Sequence, residues 1–305
     1  MPSVAANGIR IEYESHGDPA RPAIVLIMGL GMQLVAWPDE LIDGLVARRF
    51  RVLRFDNRDA GLSTQFDDHP VGPLMSVFMR WSFGWPVAAP YTLDDMANDT
   101  IGLFDALGIE RAHVVGASMG GMIGQLLAAR HRGRVRSLTS MMSTTGARRL
   151  PHARLDAFLA LVKRPDPEAS LDALVDHFVH LFRVIGSPGY ETPLPLLQER
   201  LRRGLARAFR PMGTLRQMIA ILASGDLSML LPQVTAPTLV IHGDADPLVP
   251  VAHGEDTAAK IPGAQLKVIQ GMGHDLPPAL VPELIELIAS HCAAADAIVP
   301  AQAGA

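Results

Sequence analysis

Apolar and polar positions along the chain follow two different periods, and the elements can be read from where each begins and ends. Residues 8–14, Gly-Ile-Arg-Ile-Glu-Tyr-Glu, alternate with the period of a strand that has one buried face. Residues 23–28, Ala-Ile-Val-Leu-Ile-Met, are apolar without interruption and stop at Gly29, the pattern of a strand covered on both faces. The same type recurs at 50–55, 112–116, 135–139, 238–241 and 265–269. Between these runs the spacing predicts helices over 38–48, 93–107, 119–130, 253–260 and 278–290. Strands that alternate with helices predict an α/β fold, a mostly parallel sheet with helices on both faces. No repeat of solenoid or propeller period is present.

The alternation stops between 147 and 228, where only helical spacing is found, over 155–162, 171–182 and 194–209. This predicts a helical cap (147–228) inserted into a core made of 1–146 and 229–292, with an alanine-rich tail, 293–305, expected to be flexible. Residues 147–216 hold 12 Lys/Arg against 7 Asp/Glu, a net +5, where the rest of the chain holds 15 against 24, a net −9. The arginines at 200, 202, 203, 207 and 210 are expected to form a solvated face. A second insertion, 65–91, carries Met75, Phe78, Met79, Trp81, Phe83 and Trp85, including two of the three tryptophans. Such a segment serves either as a lid over a site or as an added core layer.

Composition narrows the classes. A chain of 305 residues buries roughly three quarters of the surface it exposes unfolded and needs no metal or disulfide to fold. A net charge of −4 opposes an electrostatic nucleic-acid binder. The single cysteine, Cys292, excludes an intrachain disulfide and a cysteine zinc cluster, and fits a reducing compartment. Residues 1–8 lack the basic and apolar regions of a secretory signal. The longest apolar run, 23–32, is about half a membrane span. A cytoplasmic enzyme or binding protein without a membrane span is the expectation.

Candidate chemistry concentrates at 114–122, Val-Val-Gly-Ala-Ser-Met-Gly-Gly-Met, where an apolar strand runs into Gly-x-Ser-x-Gly and a helix follows at once. That context puts Ser118 on a strained strand-to-helix turn with its hydroxyl exposed, and the Met119 N–H at a helix N-terminus where it can face an oxyanion. A serine hydroxyl is a weak nucleophile without a base, and the base needs an orienting acid. Two stretches supply them in the order serine, acid, histidine. The first is 239–250, Leu-Val-Ile-His-Gly-Asp-Ala-Asp-Pro-Leu-Val-Pro; the second is 266–275, which ends Gln-Gly-Met-Gly-His-Asp. Asp244 and Asp246 both follow a strand, and Asp246 is favoured as the acid with Asp244 as a turn former. His274 is favoured as the base over His242 and His253 because it alone follows the later strand.

Together these motifs resemble the α/β-hydrolase fold superfamily, over residues 8–290. Residues 56–63, Asp-Asn-Arg-Asp-Ala-Gly-Leu-Ser, are similar to that family's loop after its fourth strand. The branch most resembled is that of the aclacinomycin methylesterases and related bacterial carboxylesterases. The resemblance implies an eight-stranded sheet with a cap after the sixth strand, Ser118 as nucleophile, Asp246 as acid and His274 as base. Many members carry His-Gly after the third strand, where a backbone N–H completes an oxyanion hole. Here the residues are Met28-Gly29-Leu30-Gly31, and Leu30 matches the donor position; the methylesterase branch has Met-Gly there too.

The expected activity is hydrolysis of a small-molecule carboxylic ester by water through an acyl-enzyme, with no cofactor or metal implied. Met28, Phe78, Trp81 and Trp85 are the expected substrate contacts. A lactonase, a C–C bond hydrolase or a perhydrolase side activity would use the same three residues, and a non-catalytic small-molecule receptor is the rival from another class. An aspartate at the elbow marks the dehalogenases and epoxide hydrolases of the family; Ser118 points instead to acyl transfer.

Overall fold

The computed structural model describes residues 2–298 except 73 and 167. Eight strands form one sheet: β1 (Ser3–Ala6), β2 (Ile9–His16), β3 (Ala23–Ile27), β4 (Arg51–Phe55), β5 (Ala112–Ala117), β6 (Val135–Met141), β7 (Thr238–Gly243) and β8 (Gln265–Ile269). Their spatial order is β1-β2-β4-β3-β5-β6-β7-β8. The β1–β2 and β2–β4 pairs are antiparallel, and every pair from β4–β3 to β7–β8 is parallel. β1 is the strand that periodicity does not announce, being only four residues long. Its hairpin turns through Asn7 (φ 48°) and Gly8 (φ 77°), both left-handed, which is the backbone a two-residue turn demands and Asn-Gly provides.

The helices are α1 (Asp39–Ala47), α2 (Leu74–Ser82), α3 (Leu93–Ala106), α4 (Met119–Arg130), α5 (Leu155–Val162), α6 (Leu171–Ile185), α7 (Leu194–Arg207), α8 (Pro211–Ser224), α9 (Ala252–Lys260) and α10 (Val281–Ile298). Period-2 alternation along β3 sorts the core into two layers. Val25 and Ile27 join Met96, Leu103, Ile123 and Leu127 of α3 and α4, while Ile24 and Leu26 join Leu41, Leu45, Leu284 and Ile288 of α1 and α10. Residues Pro278–Ala297 are long and apolar enough to cross a membrane (20 residues, mean hydropathy 1.2). Leu284, Ile288 and Cys292 spend that apolar character on the sheet.

α10 also shortens the tail expected from the sequence. It continues past Cys292 with Ala295 buried, and Asp296 pairs with Arg136 at 2.8 Å and lies 3.3 Å from the buried His113 ring. The rest of the predicted tail, 299–305, lies outside the described residues.

Four helices, α5 to α8, occupy the chain between β6 and β7. α8 has no clean apolar stripe because its inner face carries Arg216 and Gln217, both buried, beside Leu215 and Ile219. These polar residues face the loop after β4 rather than an apolar layer. Arg216 grips Asp59 through two bonds of 2.8 Å, and Gly213 lies where a Cβ would overlap the Asp59 carbonyl. The arginine face of α7 is likewise not simply solvated. Arg207 reaches the fully buried Asp56 and also Gln33, each at 2.7 Å, and Arg203 pairs with Asp39 at 2.7 Å. Burial raises the Asp56 carboxyl's pKa, and the Leu34 and Leu62 amides and Arg207 pull it back down. Buried ions of this kind require partners, so the insertion is tied to the sheet by charge as well as by apolar packing.

Candidate active site

The C-terminal end of β5 turns directly into α4 through Ser118, whose backbone is left-handed at φ 54°, ψ −119°. A non-glycine residue there costs on the order of 1–3 kcal/mol and persists only where its surroundings fix it. The fixing bonds are local and from the neighbouring strand. Ser118 N–H donates to Met141 O (2.9 Å), and Ser118 O accepts from Gly121 N (2.9 Å) and Ser143 Oγ (2.7 Å). The flanking glycines are required sterically. A Cβ on Gly116 would overlap the Gly120 carbonyl, and one on Gly120 would overlap the Ile27 carbonyl of β3. The motif's two outer glycines thus allow the elbow to sit against the neighbouring strand.

Three side chains from different strand ends meet in one hydrogen-bonded chain. His274 Nε2 lies 3.1 Å from Ser118 Oγ, and His274 Nδ1 lies 2.7 Å from Asp246 Oδ2. The other carboxylate oxygen, Oδ1, accepts from the Leu248 and Val249 amides at 2.9 and 2.8 Å, which fixes the carboxylate's orientation. Asp246 and His274 are buried, whereas Ser118 is half-buried. The His274 loop is held from the insertion: its own N–H donates to Ile185 O at the end of α6, and Ser187 bonds both Gly273 and Asp275.

The competitors have other partners. Asp244 Oδ1 accepts the Gly271 amide across to the β8 loop, so it ties two loops together rather than closing its own turn. The residue that bonds amides two and three positions ahead is Asp246. His253 bridges Thr144 Oγ1 and Pro151 O. His242 is fully buried behind Asp246, its Nε2 2.7 Å from Val249 O and 3.7 Å from Asp246 Oδ2. Burial pushes the His242 pKa down, against the Val249 carbonyl and Asp246, which favour the charged ring.

The loop after β3 comes against the elbow. Its Gly29 lies so close that a Cβ there would sit 3.2 Å from Ser118 Cβ and 3.7 Å from Oγ. Neither the Leu30 nor the Met119 amide has a hydrogen-bond partner among the described residues. Three polar residues hold this loop: Asn57, from the 56–63 loop recognised in the sequence, and Gln33 and Gln217, to which the sequence patterns assign no role. Gly31 N–H donates to Gln217 Oε1 (2.8 Å), Gln217 Nε2 donates to Arg58 O (2.7 Å), and Asn57 Nδ2 donates to Met28 O (3.1 Å). Gln33 donates to the Gly204 and Ala208 carbonyls at the end of α7. The signal in the sequence is the polar pair Arg216-Gln217 inside an otherwise apolar helix.

The expected substrate contacts lie as follows. Met28 is buried in the α1/α10 layer with Trp37 and Met142. Phe78 meets Phe158 of α5 edge-on at 6.3 Å, Trp81 lies under the Arg148 guanidinium at 6.0 Å, and Trp85 stacks on Phe83. Val77 of α2 packs inward, against Leu215 and Ile219. The segment is therefore part core layer and part exposed face.

Residues 22–277 match the family model of the alpha/beta hydrolase fold. Rhodomycin D methylesterase DnrP of Streptomyces peucetius is 31% identical over 92% of this chain and 94% of its own. Rhodomycin D methylesterase DauP of Streptomyces sp. (strain C5) is 29% identical over 96% and 98%. Among solved structures, the meta-cleavage product hydrolase CumD from Pseudomonas fluorescens IP01 superposes with a TM-score of 0.75 over 97% of this chain and 98% of that one, at 21% identity, a likeness of fold.

Proposed function

The chain belongs to the alpha/beta hydrolase fold family, and within it we propose a serine hydrolase of carboxylic esters working through an acyl-enzyme. The observation that carries this reading is the unbroken chain from Ser118 Oγ through His274 to Asp246. Its methylesterase relatives support ester hydrolysis as the reaction. Ser118 Oγ attacks the ester carbonyl while His274 Nε2 takes its proton. His274 then returns that proton to the leaving alcohol oxygen as the C–O bond breaks. Asp246 holds the Nδ1 proton and stabilises the imidazolium. Water, deprotonated by the same His274, attacks the acyl carbonyl and releases the acid and Ser118. The Leu30 and Met119 N–H groups are assigned to the oxyanion that forms in both steps.

Labelling with a fluorophosphonate probe, alongside turnover of p-nitrophenyl acetate, tests the proposal. Stoichiometric labelling of Ser118 that abolishes turnover is expected. Turnover that survives full labelling, or no labelling of an active preparation, overturns it.

Gln217→Leu gives a second expected result. Removing the amide leaves Gly31 N–H and Arg58 O without their buried partner, and the loop carrying Leu30 relaxes. Loss of an oxyanion donor costs about 10²–10³ in kcat, so a displaced one should cost roughly tenfold to a hundredfold, with KM changed little. Steady-state kinetics on the folded variant check this; an equal rise in KM with kcat intact would assign Gln217 to substrate binding instead.

A further inference from the structure

The surface departs most from ordinary composition over α2 and α5. Met75 and Met79 of α2, Phe83 and Trp85 just beyond it, and Leu155, Phe158 and Leu159 of α5 are between 38% and 73% exposed. Positions 75, 79 and 83 follow one another at helical spacing, as do 155, 158 and 159, so each helix presents a single apolar stripe. The edge-on contact of Phe78 with Phe158 joins the two stripes into one face. Contiguous exposed faces of this kind mark interaction sites.

Charge identifies what the face suits. Arg80, Arg148, Lys163 and Arg164 border it with no carboxylate partner among the described residues; Arg149 and Arg154, also nearby in sequence, are answered by Asp256 and Asp156. Two copies packed face to face would bring these four cations together against fewer carboxylates, the exposed Asp166 and Glu168 that follow Arg164 in the chain. An anionic bilayer satisfies both features: Met, Phe, Trp and Leu side chains enter below the headgroups while Arg and Lys remain at the phosphates.

We propose that the joined faces of α2 and α5 dock on an anionic lipid bilayer. The face is attached to the elements that frame the candidate active site. Arg154 N–H at the head of α5 donates to Pro247 O, next to Asp246, and α2 packs through Val77 on α8, which holds Gly31 through Gln217. Docking would thus set the elements that carry Asp246 and Leu30 near the lipid; a role in taking up ester substrates rests on the hydrolase reading, whereas the docking does not.

Co-flotation of the full chain with vesicles of phosphatidylcholine, with and without phosphatidylglycerol, tests docking. Binding to the mixed vesicles should be stronger by about tenfold or more, weaken in high salt, and shift tryptophan emission to the blue through Trp85. Met75→Ser/Met79→Ser/Phe83→Ser should abolish flotation with the melting temperature unchanged, and Lys163→Glu/Arg164→Glu should remove the preference for phosphatidylglycerol. No flotation with anionic vesicles, flotation of the triple variant equal to wild type, or concentration-dependent dimerisation in place of lipid binding would overturn the proposal. Turnover of p-nitrophenyl acetate by each variant, read separately, reports on the hydrolase reading.

Discussion

Replacing Ser118 by alanine is expected to lower ester turnover by roughly 10⁴-fold or more, with the melting temperature nearly unchanged. The substitution removes one hydroxyl from a half-buried side chain whose only described side-chain hydrogen bond is to His274. Alanine retains the Cβ, so the left-handed backbone at φ 54° carries the same strain, and the bonds that hold it are made by backbone atoms and Ser143. Folding should therefore be indifferent to a change that removes the proposed nucleophile. Turnover of p-nitrophenyl acetate by purified wild-type and variant protein measures the ratio. A variant that keeps a tenth of wild-type kcat would remove Ser118 from the mechanism.

Asp246→Asn should be almost as severe, at about 10⁴-fold, whereas Asp244→Asn should be mild. The geometry explains the size of the difference. The Leu248 and Val249 amides both point at Oδ1, so an asparagine there turns its carbonyl oxygen towards them and its NH₂ towards His274 Nδ1. A donor facing Nδ1 forces the imidazole proton onto Nε2, and Nε2 then cannot accept the proton of Ser118. At position 244 the asparagine carbonyl can still accept the Gly271 N–H, as the aspartate does. Parallel kcat measurements on the two variants decide the matter, and the reverse ranking would transfer the acid role to Asp244.

Much of this molecule is written in short-range pattern. Uninterrupted apolar runs between helical spacings are enough to specify strands buried on both faces, because a six-residue apolar stretch such as 23–28 can be satisfied only by covering both sides. The elbow is legible for a local reason too: glycines at 116 and 120 around a serine, with a strand before and a helix after, describe one backbone path. Ser118, Asp246 and His274 can be proposed together because each follows a strand, and strand ends gather at one edge of a parallel sheet.

What the pattern leaves open is the pairing of polar groups far apart in the chain. Arg207 reads as one of several surface arginines until Asp56, 151 positions away, is found buried beneath it. Gln217 and Arg216 look like faults in an apolar helix until the loop after β4 supplies Arg58 O and the Asp59 carboxylate. Asp244 and Asp246 follow the same strand, and although the sequence favours Asp246 as the acid, it is the packed chain that turns Asp246 towards His274 and Asp244 towards the Gly271 amide. Local periodicity follows from backbone sterics and the burial of apolar area, both of which act over a few residues. A buried polar group must find a partner wherever the packed chain places one, so its role was decided only by the tertiary structure.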